Sequence, residues 1–514
     1  MMRKNSLTDS GSTSAIKVVI DDIWDAKAWE IIQLALWNNN SGSRIITTTR
    51  SAKVASCCSS QGGYVYQMEA LSFADSKRLF YRRAFGSEEL CYPHLEKVCH
   101  GIMEKCSGLP LALITISSLL VDQVEKDEWK RVLTTIGHAL AKNPDAEDMT
   151  KILSLSYYDL PRQLRTCFLY LSIFPEDYVI AKERLVNRWI AEGFIHEEQE
   201  LSAYRIGENY FNDLINRSMI QPIDVEYGQA KACLVHDIIL DYIKCKAADE
   251  NFIASIDSVE HQYTLEYKIR RLCVVNKRNE KKDSIWTSLI LSHVRSLSIF
   301  GHPIQTSLLS FKALRVLDIE ASRGLNDHYI TTFIEKLLHL KYLRLCSYLI
   351  SNLPEEIGEL HYLETLDVRG TRIKQLPSTV MKLQRLAHLY VDPRIRFPDG
   401  MIGKMKSLKE LAEFEVCSYE IGKSMQEFSQ LTKLRTLVIS WKLYCSFDSR
   451  GRQQADLQIL VGALISKCNL HNLYIHDRRD NLPWYQPLST GSWCPTARCT
   501  LQKLHITFCL SRTW

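Results

Sequence analysis

Two carboxylates at the end of a β-branched run are the first residues of this chain placed to do chemistry. The run Lys17-Val18-Val19-Ile20 breaks off into Asp21-Asp22-Ile23-Trp24, and a second run, Ser43-Arg44-Ile45-Ile46-Thr47-Thr48-Thr49, closes on Arg50. A parallel α/β unit keeps its ligand site at the carboxyl ends of its strands, so Asp21, Asp22 and Arg50 would all fall there. Asp21 can hold Mg²⁺ through water, Asp22 can orient an attacking water, and the planar guanidinium of Arg50 suits a terminal phosphate. Taken bare, the acidic pair serves equally as the turn that ends a strand, and Arg50 as a solvated arginine at a helix start. Pro110 opens an apolar helical stretch, where its missing donor costs nothing. His236 lies in another helical segment, where a lone histidine is more often a locally satisfied side chain than a ligand.

No Gly-x-x-x-x-Gly-Lys-[Ser/Thr] phosphate loop occurs in the sequence, and Gly11-Ser12-Thr13-Ser14-Ala15 has neither its lysine nor a preceding strand. Such a loop normally supplies most of the grip on phosphates, so nucleotide binding is expected to be weak or absent and turnover improbable. Cys91, His94, Cys99 and His100 lack paired CxxC spacing and sit in a helical pattern, so no metal is assigned to them.

The elements that must position these residues follow from periodicity. Strands at 16–24 and 43–49, a helix at 28–36 and a third short strand at 64–68 make a partial parallel α/β domain, its first strand buried. From 74 to 248 the pattern is helical, with helices at 75–84, 95–106, 110–120, 149–155, 164–171, 185–190, 206–216 and 235–243. The second half has the helix density of a winged helix, with its wing at 219–234. Lys182, Arg184 and Arg188 raise a DNA-binding reading there, but Glu192 and Glu197-Glu198 follow, as on a solvated helix face.

After about residue 260 a new period takes over. Leu-x-x-Leu-x-Leu spacing recurs at Ile269-Leu272-Val274, Val294-Leu297-Ile299, Leu314-Leu317-Ile319, Leu340-Leu343-Leu345, Leu363-Leu366-Val368, Leu386-Leu389-Val391, Leu434-Leu437-Ile439, Leu470-Leu473-Ile475 and Leu501-Leu504-Ile506. No such unit buries its leucines alone, so neighbours must stack into a curved solenoid with a concave strand face. Leu353-Pro354 and Leu376-Pro377 mark turns over the convex side, and Leu408-Leu411 fits only in part, with Glu413 where an apolar residue is expected.

Composition agrees with a multidomain globular chain: 514 residues, 46% hydrophobic, and 64 basic against 59 acidic side chains. A net charge of +5 falls far short of the dense basic stripe of a nucleic-acid binder. The start lacks the apolar core of a secretory signal, and the longest apolar run, 109–121, is too short for a bilayer. The sixteen cysteines are scattered through apolar stretches and read as reduced core thiols of a soluble, intracellular protein.

The chain resembles the plant NB-ARC leucine-rich-repeat disease resistance proteins of the coiled-coil class. Lys17 to Trp24 resembles the family's Walker B motif, Gly42 to Arg50 its sensor motif, Gly108-Leu109-Pro110-Leu111-Ala112 its GLPLA motif, and Cys167 to Asp177 the motif of its following helical subdomain. Val235-His236-Asp237 matches its Met-His-Asp switch with valine in the first place. The resemblance implies an ADP/ATP site with Mg²⁺ at Asp21, Asp22, Arg50, Pro110 and His236, Pro110 against adenine and His236 donating to the β-phosphate of ADP. It implies a C-terminal part of the nucleotide-binding α/β domain at 1–72, a helical subdomain at 73–145, a winged helix at 146–255 and the repeat solenoid at 256–514. It further implies recognition of a pathogen effector or a guarded host protein at the concave repeat face and a cytoplasmic location, with the nucleus or the plasma-membrane surface as alternatives. Oligomers with full-length relatives are also implied. The start at 1–15 reads as arbitrary, as in a truncated gene model or a degenerate copy, without the family's N-terminal coiled coil; a pure binding module acting as decoy or regulator, or a degenerate copy, is the alternative function.

Overall fold

The computed structural model describes residues 17–36, 44–49, 51–59, 63–88, 91–121, 123, 125–142, 148–198, 201–226, 228–257, 269–276, 291–302, 308–321, 325–417, 421–442, 460–464, 468–477, 485–487 and 501–509. The chain divides into two compact units, residues 1–76 with 107–110, and residues 77–106 with 111–514.

In the first unit, β1 (Lys17–Ile20) pairs in parallel with β2 (Arg44–Thr47), Val18 opposite Ile45 and Ile20 opposite Thr47. Between them runs α1 (Ala26–Leu34), capped by the Asp25 carboxylate, and after them α2 (Ala52–Cys58), capped by the Ser51 hydroxyl. Both caps satisfy helix-terminal N–H groups that have no partner within the helix. Ile23, Trp29 and Val54 form the small core, with Ile20 and Ile32 packed on it. The strands are nonetheless not buried as their composition predicts. Val19 is 60% exposed and Ile46 56%. Residues 64–68 form no strand; they have no ladder partner among the described residues, and Tyr64, Tyr66 and Met68 are exposed.

The second unit begins with helices. α3 (Phe73–Phe85) enters it at Lys77, followed by α4 (Glu96–Lys105), α5 (Pro110–Leu119), α6 (Lys126–Lys142), α7 (Asp148–Asp159) and α8 (Arg162–Leu169). α6 lies outside the helices expected from periodicity; its first turn is charged, yet Trp129 on it is fully buried and stacks on Phe85 at 5.4 Å. The winged helix follows as β3 (Ile180–Ala181), α9 (Lys182–Glu192), α10 (Ala203–Asn216), the hairpin β4 (Gln221–Glu226) and β5 (Gln229–Leu234), and α11 (Asp237–Asp249), with sheet order β3-β5-β4. Gly207 is required where α10 crosses α9, since a Cβ there would lie 2.5 Å from Val186.

The repeats supply one twelve-stranded sheet, ordered β16-β17-β15-β14 and then down to β6. Its strands are β6 (Ala254–Asp257), β7 (Arg271–Asn276), β8 (Ser296–Gly301), β9 (Val316–Ala321), β10 (Tyr342–Cys346), β11 (Thr365–Asp367), β12 (His388–Tyr390), β13 (Glu410–Cys417), β14 (Thr436–Lys442), β15 (Asn472–Asp477), β16 (Tyr485–Pro487) and β17 (Lys503–Cys509). Parallel pairing sets Leu272, Leu297, Leu317, Leu343, Leu366, Leu389, Leu411, Leu437, Leu473 and Leu504 in one row across successive strands. That row runs through the core, and each fully buried leucine in it contributes about 1.5–3 kcal/mol. Pro354 and Pro377 each precede a short 3₁₀ turn on the far side of the coil. The imperfect repeat at Leu408-Leu411 resolves into a bulge. Glu413 takes φ +65°, and the next residue, Phe414, comes into register with Ile439 and packs on Phe397 and Phe428.

Candidate functional site

In the first unit the paired carboxylates sit where β1 ends, and the residue that holds them there is Thr48. Its hydroxyl donates to the Asp21 carboxylate and accepts the Asp22 N–H at 2.8 Å, while its backbone N–H donates to Ile20 O at 3.0 Å. The Thr49 hydroxyl donates to Ile23 O at 2.6 Å. Both strand ends are thereby tied into one corner, and Asp22 is held at φ +53°, in the left-handed region that Asp tolerates better than most residues. Asp21 faces solvent with hard oxygen atoms, a donor type that suits Mg²⁺ held through water. Arg50 lies outside the described residues. Thr48 was visible only as one threonine in a row of three; its role required the register of β1 on β2.

Pro110 is the first residue of α5 and is exposed, two residues after a glycine with no freedom to change. Gly108 has φ +70°, accepts the Leu71 N–H at 2.9 Å, and leaves only 2.5 Å between a notional Cβ and Leu71 O. Left-handed backbone and close approach both demand glycine here.

In the second unit, His236 is not inside a helix but caps one. It has φ −63° and ψ 138°, and its Nδ1 accepts the Ile238 N–H at 3.3 Å, so the neutral ring carries its proton on Nε2. Among the described residues the Nε2–H of this half-buried imidazole has no acceptor, which fits an oxyanion such as phosphate. Val235 before it is buried, and Asp237 opens the first turn of α11, where a carboxylate complements the helix dipole. Asp21 and Asp22 share one corner of the first unit; Val235, His236 and Asp237 share one helix start in the second.

A larger polar constellation joins α9 to the repeat strands. Arg184 and Arg188, expected on a solvated face of α9, are 4% and 0% exposed. Arg184 makes a bidentate pair with Asp318 of β9 at 2.9 and 2.9 Å; Arg188 reaches the same carboxylate at 2.7 Å and also bonds Tyr170 and Ser298. Arg344 binds Glu320 at 2.9 Å, and Arg369 binds Asp367 at 2.7 Å and Glu183 at 3.4 Å. Four arginines thus face four carboxylates, and Asn187 adds a 2.9 Å bond to Tyr390 of β12. Burial alone would raise the Asp318 carboxyl, but Arg184, Arg188 and Arg344 overcome it and hold its pKa at about 2.

This arrangement corrects the expectation of a solvated basic face. The basic face of α9 is spent on the protein's own carboxylates, so it offers no free charge to DNA. Along β8 to β12 the strand face of the solenoid packs against the winged helix, with Ala191 on Val316 and Tyr342, and Tyr204 stacked on His388. Farther along, Lys231 of the wing lies over the Tyr474 ring at 5.4 Å.

A Walker-B-like strand end, a winged helix with His236 at a helix start, and a repeat solenoid clasping that winged helix are features of the NB-ARC leucine-rich-repeat class. Family comparisons agree: the NB-ARC domain matches residues 12–90, the disease resistance protein winged helix domain 173–243, and a leucine-rich repeat region 293–514. In these parts the chain is similar to the nucleotide-binding, leucine-rich-repeat disease resistance proteins. It is 33% identical over 467 residues to disease resistance protein RGA5 of Oryza sativa subsp. japonica, covering 89% of this chain and 41% of that protein. It is 35% identical over 507 residues to Pik-2 of the same organism, covering 90% and 48%, and 31% identical over 380 residues to the putative disease resistance RPP13-like protein 3 of Arabidopsis thaliana, covering 72% and 44%. The chain therefore spans less than half the length of each of these relatives. Among the described residues, no helix is long and apolar enough to cross a membrane.

Proposed function

We propose that this chain is the switch-and-recognition portion of an intracellular plant immune receptor of the coiled-coil class, acting in the cytoplasm or at the nucleus or membrane surface. ADP, held with Mg²⁺ by Asp21, Asp22, Arg50, Pro110 and His236, favours the closed arrangement; a pathogen effector or guarded host protein at the repeats favours exchange for ATP and defence signalling, with full-length relatives as oligomer partners. The reading assigns no metabolic turnover. The observation that carries it is the buried Arg184–Arg188–Asp318 cluster. It makes the winged helix and the strand face a single contact, which a repeat-bound protein can compete with, and a ligand shifts an equilibrium only by such differential contact. Within the first unit, the Thr48-braced Asp21 supports the Mg²⁺ role; within the second, the free Nε2–H of His236 supports the phosphate role.

The second reading is a binding module that acts as a decoy or regulator. Equilibrium binding of labelled ADP separates the two. Micromolar retention that falls in His236→Ala, and also in His236→Asn, which keeps a helix cap but loses the ring donor, supports the switch. No retention at millimolar ADP supports the module.

A further inference from the structure

We propose that the cleft between the winged helix and the leading edge of the repeats binds a small, multiply phosphorylated anion. The cleft encloses ≈ 400 Å³, within the range of small-molecule sites, and its walls are α9 and α10 on one side and the starts of β10 to β13 on the other. Arg385, Ser407 and Lys433 each precede the first leucine of their repeat, Leu386, Leu408 and Leu434. Because Leu389, Leu411 and Leu437 stand in register, stacking brings the three side chains into one row at roughly 5 Å intervals. Lys341 and Lys409 form a second row, each just before its strand.

Charge sets the class of ligand. Lys341, Arg385, Lys409 and Lys433 line the cleft against Glu197 and Glu364, which leaves an excess of two positive charges. Lys341 is engaged by Glu364 at 2.8 Å, and Lys409 meets Glu197 at 3.3 Å in an exposed pair of the kind that contributes little and releases readily. Among the described residues Arg385 and Lys433 have no carboxylate partner. The Arg385 guanidinium lies over the Tyr362 ring at 4.8 Å, which orients its plane, and a planar fork beside a hydroxyl and an ammonium is a donor set for phosphate oxygens. The four lysine and arginine positions are too few for a nucleic-acid track. An anion seated there touches both walls, so its binding stabilises the packed arrangement of winged helix and repeats by linkage. This site shares no residue with Asp21, Asp22 and His236 and does not depend on their role.

The test is calorimetric titration and thermal unfolding of the whole chain with inorganic tripolyphosphate at low salt, with citrate as a non-phosphate anion. Saturable binding and a raised Tm are expected. Arg385→Ala and Lys433→Ala each weaken binding about tenfold, the scale of one lost charge-assisted contact, while Lys433→Arg retains it. Both positions are exposed, so the variants keep the fold, checked by circular dichroism. Absence of binding at millimolar tripolyphosphate, equal affinity for citrate, or unchanged binding in the double variant overturns the proposal. So does loss in His236→Ala with the double variant unaffected, which assigns the anion to the nucleotide residues instead.

Discussion

Arg188 of the winged helix donates to Asp318 of the repeat sheet at 2.7 Å, with both side chains fully buried and 130 residues apart in the chain. A buried pair of this kind is costly to desolvate and stabilises only while its partners are complete. Asp318→Ala leaves Arg184 and Arg188 with one acceptor fewer in a dry interface. It is expected to cost about 3–5 kcal/mol, read as a drop in the denaturation midpoint, and to expose the winged helix to limited proteolysis first. A variant as stable as the parent would contradict the tight packing of the winged helix against β9.

The same carboxylate sets an acid limit. Its folded pKa of about 2 lies below the usual carboxylate value of about 3.9, so the stabilisation is fully present above the unfolded value and is lost as pH falls toward the folded one. Stability of the repeat–winged-helix unit should therefore decline between about pH 4 and pH 2, and in Asp318→Asn that part of the decline should disappear. Denaturant midpoints measured across this window check both.

Gly108→Ala places a methyl group about where Leu71 O already stands and forces alanine into a left-handed backbone. A loss of about 1–3 kcal/mol is expected in the first unit. Hydrogen exchange should show it as faster exchange of the Leu71 amide, whose acceptor is Gly108 O.

Thr48→Val keeps the shape and β-branching of the strand end but removes the hydroxyl that serves both Asp21 and the Asp22 N–H. About 1 kcal/mol of local stability should go with it. If nucleotide is retained by the parent chain, the Mg²⁺ dependence of that retention should weaken, because Asp21 loses its fixed position. Thr49→Val, which removes a different bond, to Ile23 O, gives the comparison.

Local chemistry was legible from the chain alone. Leucines at fixed offsets specify repeats because no single repeat can bury them, and the register rows from Leu272 to Leu504 follow from that one constraint. The strand ends at Asp21-Asp22, the apolar helix behind Pro110 and the hairpin at 219–234 also follow from short-range patterns of β-branching, helical spacing and turn residues. What no local pattern encodes is the partner of a side chain far away. Arg184 and Arg188 look like a solvated basic face until Asp318, Glu320 and Arg344 arrive from repeats more than a hundred residues later. Thr48 is one of three threonines until β2 pairs with β1. His236 reads as a residue within a helix until the backbone turns at it and makes it the cap. Periodicity decides which face of an element is apolar; only the packed chain decides which charges meet across the faces that remain.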